Sequence, residues 1–235
     1  MNALVMIPTY NERDNLPRIV PLVLQHEVQV LVIDDGSPDG TGALADELAR
    51  RFPGRMSVLH RSGKRGFGRS YVDGFRRALE MSFDVVVQMD ADLSHDPAYL
   101  PAMFEAIGKA ELVLGSRYVH GISVVNWPLN RLILSTMGNR YVRAITGLAT
   151  KDCTSGFRAW RRSAIQRLPL DRIASDGYSF QVEMLYEAVR AGCSVVEVPI
   201  IFTERREGHS KLSRGVVLES LLMPWRLRLR GLSGK

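Results

Sequence analysis

Short apolar runs and longer amphipathic segments alternate through the first half of this 235-residue chain. Ala3–Ile7, Val28–Ile33, Met56–Leu59, Val85–Met89 and Leu112–Leu114 are rich in Val, Ile and Leu, as strands buried on both faces are. Between them, Leu16–Gln25, Thr41–Arg51 and Ser70–Ser82 place apolar residues at helical spacing. The rhythm predicts an α/β fold, a mostly parallel twisted sheet with helices on both faces. The second half is less regular. It reads as a long helix over Trp127–Ile145 with Pro128 near its first turn, a short strand near Gly156–Arg161 and a helix near Phe180–Ala191. A strand over Val195–Phe202 follows, then a helical pattern over Leu212–Leu229 broken or kinked at Pro224. This divides the chain into a main domain, 1–211, and a basic amphipathic segment, 212–235.

Composition narrows the class only modestly. With 46% hydrophobic and 24% charged residues the chain is an ordinary globular one. Its net charge of +6 is unevenly placed: between Glu204 and Lys235 eight Lys or Arg face three acidic residues, which suits phosphates, nucleic acid or an acidic membrane surface. Cys153 and Cys193 supply neither a disulfide framework nor metal-ligand spacing and read as small buried hydrophobes in a reducing compartment. The chain enters a strand-like run at once, without a basic leader, and holds no apolar stretch of about 18 residues. A cytoplasmic protein, or one peripheral to the cytoplasmic face of a membrane, is expected.

Ligands of such sheets bind beyond the carboxyl ends of the strands, and the polar clusters lie there: Pro8-Thr9-Tyr10-Asn11-Glu12, Asp34-Asp35-Gly36-Ser37 and Asp90-Ala91-Asp92. Side chains at i and i+2 of an extended segment point the same way. Asp90 and Asp92 can therefore converge on one Mg²⁺ or Mn²⁺ that also binds a substrate diphosphate; a solvated loop or a helix cap before Pro97 is the plainer reading. Asp35 lies in a turn-forming stretch and can accept hydrogen bonds from a base or ribose. Gly63-Lys64-Arg65-Gly66-Phe67-Gly68-Arg69-Ser70 matches neither the dinucleotide fingerprint nor a P-loop, yet its amides and charge suit phosphate or sugar. Arg131, Ser135 and Asn139 recur every four residues on one helical face, with Ile133, Met137 and Tyr141 on the other side. Arg117, at another strand end, can join Arg131 in an anion pocket.

Together these segments resemble the family 2 glycosyltransferases and, within them, the dolichyl-phosphate (polyprenyl-phosphate) mannosyltransferases. The resemblance rests on Pro8–Leu16 (PTYNERDNL), Ile33–Thr41 (IDDGSPDGT), Gly63–Gly74, Gln88–Pro97 (QMDADLSHDP), Gly115–Tyr118, Asp152–Arg158 (DCTSGFR) and Pro199–Lys211. The seven segments run in family order over nearly the whole chain. The resemblance implies a GT-A fold in which Pro8, Tyr10, Glu12, Ile33 and Asp35 hold the nucleoside. Asp90, Ala91 and Asp92 would hold the metal and the diphosphate sugar, with Arg205 and Lys211 closing over them, and Arg117, Arg131 and Ser135 would surround an acceptor phosphate. Relatives often carry Gln two residues beyond the second metal Asp; Ser94 stands there instead, a shorter oxygen donor suited to reaching the cation through water. Many relatives also continue into C-terminal membrane spans, and this chain resembles the short form without them.

The activity implied is inverting transfer of a sugar, foremost mannose from GDP-mannose, onto dolichyl or polyprenyl phosphate. Its partners would be that donor, that lipid acceptor, a membrane surface and a membrane-anchoring subunit, with no nucleic acid. An ionised phosphate needs no general base, and no persuasive His–carboxylate pair accompanies the motifs. Three alternatives stand beside it. They are the same chemistry with a UDP-sugar such as UDP-glucose, a phosphatase using Asp90 and Asp92, and a nucleotide-sugar sensor without turnover.

Overall fold

The structure, a computed structural model, describes residues 1–63, 65–203 and 214–233, with the side chains of the last segment given over 219–231. Its core is a seven-stranded sheet. The edge-to-edge order is β3 (Met56–His60), β2 (Gln29–Asp34), β1 (Ala3–Thr9), β4 (Val85–Gln88), β7 (Arg158–Arg161), β5 (Leu112–Ser116) and β8 (Val195–Pro199). All neighbours are parallel except β7, which runs antiparallel to both β4 and β5. Helices α1 (Leu16–Val23), α2 (Thr41–Arg51) and α4 (Leu100–Ile107) belong to one face, where Leu16, Ile19, Ala45 and Met103 pack with Val5, Val32 and Val87. The opposite face carries α3 (Phe67–Glu80), α6 (Arg162–Arg167) and α7 (Gly177–Arg190), around Tyr71, Phe75, Trp160, Phe180 and Leu185. Burial on both faces explains the near-continuous apolar strands. The mostly parallel sheet covered on both faces is the architecture its sequence pattern predicted.

The irregular second half departs from expectation in instructive ways. Helix α5 (Leu129–Thr146) takes Pro128 as its N-cap, one step before the first turn. The run expected as one strand over Val195–Phe202 divides after Pro199: Ile200 is buried, and β9 (Phe202–Thr203) crosses to pair with β6 (Val124–Val125). Helix α6, six residues long, is too short to show a period, whereas α4 buries Leu100, Met103 and Ile107 at helical spacing. The final helix, α8 (Arg214–Ser233), passes through Pro224 without a break. Met223 and Leu227 bury themselves in the α3–α7 core cluster on either side of that proline. Two buried side chains at roughly 1.5–3 kcal/mol each offset about 3 kcal/mol for an internal proline, so packing overrides the local breaker.

Candidate active site

The carboxyl ends of β1, β2 and β4 meet in register, Thr9 beside Asp34 and Met6 beside Gln88, and the chain beyond them is locked by short polar bonds. The Asp34 carboxylate accepts from the Thr9 hydroxyl (3.2 Å), the Ser37 hydroxyl (2.6 Å) and the Ser37 amide (3.2 Å). Ser37 Oγ in turn accepts from the Asn11 amide at 3.1 Å, and Thr41 Oγ1 accepts from the Glu12 amide at 3.0 Å. The Tyr10–Glu12 and Asp34–Thr41 loops are thus one knitted unit. Gly36, at φ +69°, occupies a left-handed conformation that a side chain would oppose.

Asp35 sits beside this unit, buried, and organises the glycine loop. Its carboxylate accepts from the Arg61 guanidinium and from the Gly66 amide at 2.9 Å. Arg61 is oriented by Asp73 (2.8 Å) and Ser70 (3.2 Å). Arg65 lies across the mouth, its guanidinium 4.9 Å from the Tyr10 ring centroid, donating to the Tyr10 hydroxyl (2.9 Å) and the Gly36 carbonyl (3.0 Å). Pro8 pairs with Ile33 across the strands. The Ile33 side chain is fully buried and faces Gly74 on α3, where a Cβ would lie 2.4 Å from it. Glu12 receives the Asn15 side-chain amide at 2.8 Å, and its carbonyl receives the first amides of α1.

Asp90 and Asp92 follow β4 on a loop turned by Leu93, whose φ is +63°. Asp90 Oδ1 accepts from the Tyr71 hydroxyl at 3.3 Å, and the Asp90 amide donates to His95 Nδ1 at 3.0 Å. Burial, reinforced by the Asp90 charge, pushes the Tyr71 phenol well above its ordinary value, so it stays a donor. Asp92 Oδ1 accepts from the Ser94 amide (3.1 Å) and hydroxyl (2.5 Å). Ser94 is buried, and its hydroxyl braces the carboxylate. Ala91, between the acids, is buried. Among the described residues no group of three or more His, Cys, Asp or Glu gathers to hold a metal. Two carboxylates fit a divalent cation only where a diphosphate and water complete its oxygen shell.

The second cluster is built by long-range contacts. The Arg117 guanidinium, at the end of β5, is buried and grips Asp152 through two parallel bonds of 2.7 and 2.6 Å; a third bond reaches Thr154 at 2.8 Å. Burial alone would favour deprotonation, but Asp152 outweighs it and holds Arg117 above its ordinary value. Burial likewise pushes Asp152 up, and the arginine pulls it below 3.8 on balance. Trp127, Tyr118 and Phe202 stand around the guanidinium at 5.3–5.5 Å. Arg131 lies 4.3 Å over the Trp127 ring, and Ser135 Oγ accepts from the Tyr118 hydroxyl at 2.7 Å. Asn139 is buried, donating to Thr154 and accepting from the Cys153 amide.

Arg131, Ser135 and Asn139 thus face the protein, while Leu129 (70% exposed), Ile133, Leu134 and Met137 (62%) face outward. With Arg117, Arg131, Ser135 and Thr154 at one side, Leu134, Tyr141, Val142, Val182, Leu221 and Met223 complete a cavity of about 200 Å³ between α5, α7 and α8. Helix α8 exposes Leu222, Trp225 and Leu229 beside it, with the Trp225 ring N–H donating to the Tyr141 hydroxyl at 3.1 Å.

The structure therefore groups the sequence candidates in two, Pro8, Tyr10, Glu12, Asp35, Asp90 and Asp92 at the carboxyl ends of β1, β2 and β4 and Arg117, Arg131 and Ser135 at the cavity. Arg205 and Lys211, and Lys64 of the glycine loop, lie outside the described residues. Sequence reasoning gave no role to Tyr71, Tyr118, Trp127, Asp152 or Thr154. Asp152 and Thr154 stand within DCTSGFR, whose acid–hydroxyl spacing was the available signal.

Known proteins share the sequence and the fold of this chain. The model for glycosyl transferase family 2 matches residues 4–168. A polyprenol monophosphomannose synthase from Mycolicibacterium smegmatis is 48% identical over 232 residues, covering 97% of this chain and 88% of the relative. An undecaprenyl-phosphate mannosyltransferase from Micrococcus luteus is 47% identical, covering 94% and 92%. Among solved structures, glucosyl-3-phosphoglycerate synthase from Mycobacterium tuberculosis, with Mn²⁺, UDP-glucose and phosphoglyceric acid, superposes with a TM-score of 0.67 at 18% identity over 95% of this chain and 79% of its own. The mannosyltransferase PcManGT from Pyrobaculum calidifontis, with GDP-Man and Mn²⁺, gives 0.65 at 18% identity over 97% and 64%. These structures share the GT-A fold.

Proposed function

The chain belongs to glycosyl transferase family 2, and on that premise we propose that it transfers mannose from GDP-mannose to a polyprenyl phosphate. One observation carries the reading beyond family membership. A cavity with two arginines at one side and apolar residues from three helices along the rest matches an acceptor with an anionic head and a hydrocarbon tail. Two relatives nearly half identical are named for mannose and polyprenyl phosphate.

In this reading the nucleoside rests on Pro8, Tyr10, Glu12 and Asp35, with Ile33 contributing through its backbone because its side chain packs in the core. Asp90 and Asp92, braced by Ser94 and backed by Ala91, would hold Mg²⁺ or Mn²⁺, whose charge would balance that of the departing diphosphate. Arg205 and Lys211 are assigned to the same diphosphate from sequence alone. Arg117 and Arg131 take the acceptor phosphate, with Ser135 and Tyr118 as hydroxyl partners. A phosphate oxygen attacks the anomeric carbon from the face opposite the leaving diphosphate, so configuration inverts. The acceptor, with a second pKa near about 6, arrives ionised, so no residue need remove a proton. Because Asp152 already neutralises Arg117, the pocket orients a dianion chiefly through Arg131 and fixed donors.

Membrane recruitment follows from the same surfaces. No described helix is long and apolar enough to cross a bilayer, yet Leu129, Ile133, Met137, Leu222, Trp225 and Leu229 present an apolar face, with Arg226 and Arg228 exposed on α8. Basic residues near an anionic surface contribute about 1 kcal/mol each. The platform is assigned to the cytoplasmic leaflet, with or without an anchoring subunit. A panel of GDP- and UDP-sugars, assayed with Mg²⁺ or Mn²⁺ for transfer to polyprenyl phosphate, tests the function. Mannose transfer from GDP-mannose is expected; preferential use of UDP-glucose would replace the donor, and binding without turnover would make the chain a sensor.

A further inference from the structure

Arg131 stands in an electrostatically poor place. It is the third residue of α5, whose first turn holds no acid, and the amide dipoles of a helix oppose a cation there. Trp127, four residues earlier and just ahead of the Pro128 cap, offsets this. Its indole carries the Arg131 guanidinium 4.3 Å from the ring centroid and brings the Arg117 guanidinium, a like charge, to 5.4 Å. Phe202 meets the ring edge-on at 5.6 Å. Arg117 is already tied to Asp152 through two bonds, so the ring matters most to Arg131. The indole nitrogen is shielded from solvent and has no partner among the described residues. A buried indole N–H ordinarily finds an acceptor, and a phenyl ring here would leave no donor unsatisfied. What indole offers over phenyl is its face, the strongest of the aromatic side chains toward a cation.

We propose that Trp127 is a positioning residue of the acceptor site: its ring face holds the Arg131 guanidinium at the cavity, against the helix dipole and the like charge of Arg117. Trp127 and Arg131 both line that cavity, and the phosphate then meets an arginine already in place. The inference rests on the acceptor reading above and adds to it a residue that itself makes no bond to the phosphate. Preorganisation lowers the cost of ordering a long side chain when a ligand binds. Loss of the ring therefore falls on acceptor affinity and spares the donor loops.

Two substitutions test it. Trp127→Leu removes the ring face, and Trp127→Phe keeps a weaker one. KM for GDP-mannose and for a short, water-soluble polyprenyl phosphate is measured with Mn²⁺, beside the melting temperature. The measurements cover both variants, Arg131→Ala, and the double variant of Arg131→Ala with Trp127→Leu. Trp127→Leu is expected to raise acceptor KM about fivefold, the effect of one cation–π contact, with donor KM within about twofold. Trp127→Phe recovers most of that loss. In the Arg131→Ala background Trp127→Leu adds less than about twofold, because the guanidinium it positions is gone. Losses that multiply in the double variant overturn the proposal. So does an unchanged acceptor KM in Trp127→Leu. Donor and acceptor KM rising together with a lowered melting temperature also overturn it, marking a packing role for the ring against Phe202. Should Trp127→Leu not fold, Trp127→Phe carries the cycle, with about a twofold rise in acceptor KM alone and none beside Arg131→Ala. A wild type that transfers no mannose to polyprenyl phosphate defeats the reaction assigned above. Calorimetric binding of inorganic phosphate to the same variants then still reads the coupling of Trp127 to Arg131.

Discussion

The two halves of the site are made by different means. On the donor side, Asp34 binds Thr9 and Ser37, the Ser37 and Thr41 hydroxyls take the Asn11 and Glu12 amides, and Asp35 pairs with buried Arg61, all over loops that the strands deliver side by side. On the acceptor side, Arg117 reaches Asp152 across 35 residues and Tyr118 reaches Ser135 across 17, with a fully buried ion pair at the centre. The residues between 152 and 156 join the halves, since Asp152 and Thr154 hold Arg117 while Gly156 backs Asp90. The donor side is gathered at strand ends, with Ser70 and Asp73 of α3 holding Arg61 against Asp35; the acceptor cavity lies between three helices.

If that division is right, damage should stay on its own side. The largest effect is expected from Asp92→Ala: at least a hundredfold loss of kcat and loss of Mn²⁺-dependent GDP binding, with circular dichroism unchanged. Near-normal turnover in the folded variant would remove Asp92 from the metal site. Asp152→Ala comes next, because it strands a buried arginine. A cost of about 3–5 kcal/mol lowers the melting temperature by on the order of 10 °C and raises acceptor KM far more than donor KM. A melting point equal to wild type would show that Arg117 finds another partner. Arg131→Ala should leave the core alone and raise acceptor KM about tenfold or more, as expected for a bond to a charged group. If donor affinity falls and acceptor kinetics hold, Arg131 belongs to the other half.

Smaller effects refine the boundary. Replacing Leu129, Ile133 and Met137 together by Ser should cut co-sedimentation with anionic vesicles several-fold and slow transfer to long-chain acceptors, sparing short water-soluble ones. This is cleaner than deleting α8, since Met223 and Leu227 are core residues and Arg230 pairs with buried Glu183 at 2.8 Å. The pH profile sharpens the comparison last. Asp152 is lowered on folding, so its stabilisation is present above the ordinary carboxylate value of 3.8 and fades only as pH falls through the still lower folded value. Transfer should therefore rise once, near about pH 6, with the acceptor's second ionisation, and melting temperature between pH 5 and 8 should owe no slope to this pair.

The same contrast explains what could be read from the chain. Donor-side elements announce themselves because the information is local: an apolar run ends and Asp34-Asp35-Gly36 or Asp90-Ala91-Asp92 begins within a residue or two. The spacing of Arg131, Ser135 and Asn139 gave their shared face correctly but not its direction. Helical periodicity separates two faces without saying which meets the protein. Nothing near Arg117 in sequence names Asp152 as its partner. Pro224 does not break the helix, its local rule yielding to burial of Met223 and Leu227 on either side.

The outward apolar face of α5 also makes the protein an amphiphile in its own right. Leu129, Ile133, Leu134 and Met137 are each about half exposed or more, and covering them releases roughly 20–30 cal/mol for every Å² of apolar surface taken from water. Bilayer, detergent micelle, tube wall and a second copy of the chain all offer that cover. At the bench, then, specific activity becomes a function of enzyme dilution, surfactant and vessel. A preparation stored with detergent and one stored without will differ in rate before either has met its substrate.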